Sequence, residues 1–407
     1  MIFKRKLYDK LLVWKQQTAG TKALLIEGAR RIGKSTLVEE FAKNEYRSYL
    51  MIDFNKVSDS VISAFNNYMN DLDTFFLILS SEYGVRLYPK ESIIIFDEIQ
   101  QFPKARQAIK YLVADGRFDY IETGSLISIK ENVNDITIPS EERTLLMYPM
   151  DFEEFAWAMN EEPLMAYIRQ CFDKKVPLEQ GIHAKAMLLF RQYMIVGGMP
   201  KSLSAYLENN RSFEMADMEK RDILTLYRND IKKIKSGYRS SVLSIFDQIP
   251  AFLSRSERRV VMNRIEKGAS FPKYHDTFFW LSDSMIANEC FNCSDPNVGL
   301  SLNEDRTYVK CYMGDTGLLI SHTFDENEIS DGELYREILL GKLSVNEGMF
   351  YENVIAQMLV AAGHKLYFYT RYNQEKHRND MEIDFILSNH SKLRYKIFPI
   401  EVKSNDK

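Results

Sequence analysis

Over the first 150 residues, short β-branched runs alternate with longer polar or amphipathic stretches. Ala23–Glu27, Tyr49–Asp53, Ser92–Phe96 and Tyr120–Glu122 read as strands, with helical patterns between them. Such alternation predicts βαβ units around a parallel sheet. From Asp151 to Thr225 apolar residues recur three or four apart, with few turn signals until Gly197-Gly198-Met199-Pro200, so this part is expected to be helical. Residues 226–325 carry helical spacing at Val242, Ile245, Phe246, Ile249 and Leu253, then a second helical stretch over Ser254–Gly268. Two β-like runs follow, near Phe278–Leu281 and Thr307–Met313. Residues 326–407 read as a helix, Asn346–Ala361, then strands Leu366–Tyr369, Ile383–Leu387 and Ile397–Val402.

Composition narrows the class without choosing a function. The chain has 407 residues, enough for two or three domains of about 150 residues each. With 45% hydrophobic and 27% charged residues it is globular rather than disordered. The net charge of −4 hides an uneven distribution: Arg228–Lys273 holds eleven Lys/Arg and four Asp/Glu, a local excess of +7. That stretch, with Arg255, Arg258, Arg259 and Arg264, is a candidate face for DNA phosphates; a protein contact or a plain solvated surface is the alternative. The basic start Met1–Lys6 leads into Leu7-Tyr8-Asp9-Lys10 rather than an apolar signal core, and no run long enough to span a membrane occurs. Four cysteines in a chain this long do not make a disulfide framework, so the cytoplasm is the expected compartment. Cys290-Phe291-Asn292-Cys293 with Cys311 lacks a fourth ligand for zinc, and free thiols are expected.

Gly28-Ala29-Arg30-Arg31-Ile32-Gly33-Lys34-Ser35 satisfies the pattern G-x-x-x-x-G-K-[ST] at every position, between a strand and the helical stretch Thr36–Lys43. Its glycines let backbone N–H groups face phosphates, Lys34 can reach the β- and γ-phosphates, and the Ser35 hydroxyl can ligate Mg²⁺. Thr36 closes the set. The second half of such a site is Ser92–Phe96 followed by Asp97-Glu98. A buried strand delivers Asp97 to hold Mg²⁺, and Glu98 to orient or deprotonate the attacking water. At the end of another strand, Thr123 or Ser125 is placed to touch the γ-phosphate or the water; a capped turn is the alternative. Arg143 is a candidate charge-stabilising arginine, in cis or from a neighbouring subunit of an oligomer, and Arg30 and Arg31 within the loop are others.

The ordered set of the Gly28–Thr36 loop, Asp97-Glu98, Thr123-Gly124-Ser125, Pro149-x-Asp151-Phe152-x-Glu154-Phe155, Gly197–Pro200, Cys311–Leu319, Glu382–Phe385 and Pro399–Lys403 resembles a family. It is the prokaryotic AAA-type P-loop ATPases that carry a C-terminal DUF4143 region. The resemblance covers nearly the whole chain. It implies an α/β P-loop NTPase (AAA-like) core over residues 1–150 and a helical lid over 151–225. It also implies a winged-helix-like domain over 226–325 and a restriction-endonuclease-like α/β domain over 326–407.

In that last segment, Glu382-x-Asp384 and Glu401-x-Lys403 each put alternate residues on one strand face. Asp384, Glu401 and Lys403 are therefore expected to converge, with Glu352 added from the preceding helix, as a second Mg²⁺ site of the PD-(D/E)xK nuclease kind. An inactive remnant is the alternative. The sequence stops four residues after Lys403, and relatives usually continue with a further helix and strand, so an unpaired sheet edge is expected there. Three functions follow: a Mg²⁺-dependent ATPase gating its C-terminal region, a nucleotide-dependent module binding DNA or a protein, and an ATP-regulated nuclease.

Overall fold

The computed structural model describes residues 1–125, 139–234, 239–255, 258–260, 271–296, 299–325, 332–342, 347–373, 378–391 and 394–403. The chain forms two compact units, Met1–Tyr148 and Pro149–Lys407.

The first unit is built on five parallel strands, β1 Ala23–Gly28, β2 Ser48–Asp53, β3 Ser92–Asp97, β4 Asp119–Gly124 and β5 Glu142–Met147, in the order β2-β3-β4-β1-β5. All six residues of β1 and of β3 are buried, and their apolar stretches Ala23–Ile26 and Ile93–Phe96 are what a sheet covered on both faces requires. Alternate residues Leu25, Leu50, Ile52, Ile94, Phe96 and Tyr120 join one core with α3 (Asp59–Asn67), α4 (Leu72–Tyr83) and α5 (Pro103–Asp115). The helix α2 (Lys34–Glu45) packs on β1, β2, β3 and β4, and α1 (Lys6–Gln17) packs on α2. Local chemistry sets the helix ends. Ser58 and Asp71 side chains accept from the first turns of α3 and α4, Pro103 starts α5, and Gly84 and Gly116 close α4 and α5 in left-handed conformations.

One acidic group sits inside this core. Glu122 of β4 is fully buried, and burial, then the Glu142 carboxylate, push its pKa well up. Glu142 itself receives the Arg106 guanidinium from α5 through two bonds, at 3.0 and 2.7 Å.

Helices dominate the start of the second unit: α6 (Phe152–Ala158), α7 (Glu162–Lys174), α8 (Gln180–Val196), α9 (Pro200–Glu208), α10 (Phe213–Lys232), α11 (Arg239–Leu253) and α12 (Phe271–Asp283). Asp151 and Glu154 form a reciprocal cap on α6. Strands β6 (Ala287–Cys293), β7 (Glu304–Met313), β8 (Leu366–Asn373) and β9 (Arg378–Ile383) then make a sheet in the order β7-β6-β8-β9, and β10 (Phe385–Ser391) pairs antiparallel with β11 (Arg394–Ile400). Between β7 and β8 lie α13 (Thr316–Thr323), α14 (Gly332–Leu340) and α15 (Glu347–Ala361).

The two glycine motifs of this unit meet around Asp315. Its carboxylate accepts from Gly198 N at 2.6 Å, Leu318 N at 2.9 Å and Gln357 Nε2 at 3.3 Å. Gly198 lies so close to Met150 that a Cβ would collide with that residue's backbone, which explains the glycine there. The ammonium of Lys220, fully buried in α10, donates to Ile195 O at 2.7 Å and Gly317 O at 3.3 Å. Burial lowers its pKa, against the pull of Asp217 and Asp315.

Several readings need correction. Phe278–Leu281 is not a strand but the last part of α12; a four-residue apolar run has no periodicity to separate the two. The expected strand Ile383–Leu387 is broken at Asp384, which separates β9 from β10. Most of the expected helix Ser254–Gly268 lies outside the described residues. Among the described residues no helix is long and apolar enough to cross a membrane.

Candidate functional site

Strand order explains how distant residues meet. β4 lies between β1 and β3, so the carboxyl ends of all three stand side by side, where open parallel sheets bind ligands. β1 delivers the Gly28–Gly33 loop, β3 delivers Asp97 and Glu98, and β4 delivers Thr123.

The loop is shaped by crowding and by backbone angle. A Cβ on Gly28 would collide with Met147 O and Ile32 Cδ1. Arg31 and Gly33 hold φ of 70° and 90°, so the chain reverses and enters α2 with its first N–H groups turned toward the loop. Lys34 opens α2, is buried, and donates to Gly28 O at 3.0 Å and Ala29 O at 2.8 Å. Burial lowers its pKa to about 8, with Glu98 and Asp97 pulling the other way. Arg30, Arg31 and Thr36 are exposed beside it.

Asp97 is the meeting point. Its Oδ1 accepts from Ser35 Oγ at 2.7 Å and also from Thr123 Oγ1. Thr123 Oγ1 in turn accepts from Glu98 N at 3.3 Å. Two hydroxyls, from a helix and from a neighbouring strand, therefore fix one carboxylate beside the lysine. Glu98 adopts a left-handed backbone conformation, φ 56° and ψ 47°, which costs a non-glycine residue about 1 kcal/mol or more. That turn carries it off the strand, half-buried, where Gln100 Nε2 donates to its Oε2. A carboxylate and a hydroxyl at this spacing are hard oxygen donors of the kind Mg²⁺ selects. The donor set fits that ion.

Arg143 is not part of this cluster. It lies on β5 opposite Leu24, at the amino end of β1. Four residues separate that level from Gly28, about 13 Å along a strand. There it lines a cavity of about 220 Å³ with Asp9, Lys10, Val13, Trp14 and Leu145. A role in cis at the loop is therefore corrected: the strand carries this arginine to the opposite end. Ser125 follows β4, just before residues 126–138, which lie outside the described set.

The C-terminal carboxylates have different company. Glu352, fully buried on α15, accepts from Lys310 Nζ at 3.2 Å, from the Tyr312 hydroxyl, and is ion-paired with Arg258. Lys310 is equally buried and also faces Glu382 at 3.3 Å. Asp384 Oδ2 accepts from Val402 N at 2.8 Å, while Glu401 pairs with Lys403 at the surface. Among the described residues no three His, Cys, Asp or Glu side chains converge as a metal site. The expected set Glu352, Asp384 and Glu401 is not assembled, because Glu352 is neutralised by two cations and Glu401 turns outward. The four cysteines are buried free thiols.

The basic stretch is partly consumed within the chain. Arg228 pairs with Asp247 at 3.0 Å and Asp325 at 2.8 Å. Arg258 is held on Glu352, and Arg259 lies over the Tyr308 ring. Arg264 lies outside the described residues.

Comparison with known proteins agrees with the geometry of the first unit. An AAA domain model matches residues 20–156. Two domains of unknown function match the rest, DUF8612 over residues 187–328 and DUF4143 over residues 347–407. No curated protein matches the chain. Similar solved structures include the Aeropyrum pernix Orc1 protein in complex with DNA, at 10% identity, covering 80% of this chain and 93% of that one with a TM-score of 0.30. The Thermotoga maritima RuvB Holliday junction branch migration motor matches at 14% identity, 72% and 90% coverage and a TM-score of 0.29. AMPPCP-bound DnaA from Aquifex aeolicus matches at 10% identity, 70% and 90% coverage and a TM-score of 0.26. Superpositions this loose carry no functional weight. The matched AAA and DUF4143 segments, together with the parallel sheet and its phosphate loop, support an AAA-type P-loop core followed by a C-terminal DUF4143 region in this chain.

Proposed function

We propose that this chain binds ATP with Mg²⁺ and hydrolyses it, and that the nucleotide state sets partner binding by the Pro149–Lys407 unit. One observation carries the reading: Asp97 Oδ1 accepts from both Ser35 and Thr123, beside Lys34 and Glu98. Ser35 and Asp97 would hold Mg²⁺, which when bound would supply positive charge to offset that of the phosphates. Lys34 and the first N–H groups of α2 bind the phosphates. Thr123 holds Asp97 and so sets the direction of its carboxylate. Glu98, turned off the strand end, orients the attacking water and accepts its proton.

Glu98→Gln keeps the shape and removes the base. Turnover of this variant should fall by about 100-fold or more, while MgATP affinity stays within a few-fold of the wild type. Nucleotide recovered from the variant after incubation should be ATP; recovery of ADP at the wild-type rate would remove Glu98 from the role.

A further inference from the structure

A buried charge ahead of α1 is not used by the site as described. Arg5 is 7% exposed and occupies the N-cap position of α1 with extended backbone. Its Nη1 donates to Ile32 O at 3.0 Å and its Nη2 to Tyr148 O at 2.6 Å. The first carbonyl lies inside the phosphate loop. The second belongs to the residue after Met147, whose own carbonyl closes on Gly28. One guanidinium thus ties the loop to the end of β5.

The geometry of the peptide turns this tie into a functional statement. Ile32 C=O and Gly33 N–H share one planar trans unit and point in opposite directions. Whatever fixes the carbonyl also aims the amide. Arg31 and Gly33, either side of Ile32, have positive φ, and no strand ladder spans the loop between β1 and α2, so the orientation of that peptide rests on side-chain contact. We infer that Arg5 is a positioning residue for the triphosphate: by holding Ile32 O it directs the Gly33 amide into the phosphate cradle. The inference rests on the ATP reading above. It also explains arginine here. A planar fork spans two carbonyls at once, whereas a lysine keeps the charge but reaches only one.

The test is a titration of a fluorescent ATP analogue with Mg²⁺ into the full-length wild type, Arg5→Lys, Arg5→Met and Lys34→Ala, with KM, kcat and melting temperature measured on the same samples. Arg5→Met should weaken binding and raise KM roughly tenfold, with kcat at saturation within about threefold. Arg5→Lys should fall between it and the wild type. If Arg5→Met does not fold, Arg5→Lys decides alone. A lower melting temperature with unchanged Kd and KM would mean the arginine only supports the fold, and would overturn the inference while leaving the ATP reading intact. Wild-type binding no tighter than that of Lys34→Ala would overturn both.

Discussion

Asp97 in the first unit accepts from two neutral hydroxyls, whereas Glu352 in the second faces the Lys310 ammonium, the Arg258 guanidinium and the Tyr312 hydroxyl. Both are buried acids at the centre of a polar cluster. Lys34 lies near Asp97 but donates to the carbonyls of Gly28 and Ala29, so on the proposed function the Asp97 carboxylate would take Mg²⁺ with Ser35 as a second ligand. The Glu352 charge is compensated by groups of the chain itself, so a divalent ion there would have to displace a fully buried lysine. A carboxylate pattern in a sequence is therefore only half of a metal site. The other half is the sign of the residues that the fold brings opposite.

The comparison can be broken at either end. Replacing Lys310 with Met leaves Glu352 a buried charge short of one partner, and should destabilise the protein by about 3–5 kcal/mol in chemical denaturation. Unchanged stability would mean that the pair is not the structural centre we describe. Asp97→Asn should instead leave the melting temperature close to wild type and lower ATP turnover by about 100-fold, some 2.7 kcal/mol. A variant with wild-type turnover would remove Asp97 from the site. A smaller effect follows from Lys34, whose pKa burial lowers to about 8. Bound phosphates favour its charged form, so binding above pH 8 takes up a proton. The apparent Kd for MgATP should be flat with respect to this group below pH 8 and rise up to about tenfold per pH unit above it. A Kd independent of pH between 7 and 9.5 would contradict this. Smallest of all, Glu401→Gln removes one member of an exposed pair and should leave both melting temperature and turnover where they are. A loss of turnover would reopen Glu401 as a functional residue.

Much of the first unit was legible because its signals are local. The phosphate loop is contiguous, and the all-buried strands β1 and β3 show as apolar runs, Ala23–Ile26 and Ile93–Phe96, that lead into Glu27-Gly28 and Asp97. What escaped depended on partners distant in sequence. Glu142–Met147 forms the edge strand β5, exposed at Arg143, Thr144 and Leu146 and without a regular alternation, and without it Arg143 could not be assigned to an end of the sheet. Thr123 was one of two candidates with Ser125 until β4 took its place beside β3 and brought its hydroxyl to Asp97. Arg5 was read only as part of a basic start, since nothing in a single sequence links it to a carbonyl 27 residues away. In the second unit, Glu352 and Asp384 were expected as ligands of a second Mg²⁺ site, but Glu352 is paired with Lys310 and Arg258 and Asp384 falls between two strands. Lys310, on β7 across the cluster, carried no signal that it would meet them.

The central claim is that the Asp97 cluster hydrolyses ATP. Its most direct test is steady-state phosphate release from MgATP by the wild type beside Lys34→Ala, at pH 7.5 and equal concentration of folded protein. The account predicts saturable release by the wild type and at least about 100-fold less by the variant. Equal rates in the two would contradict it.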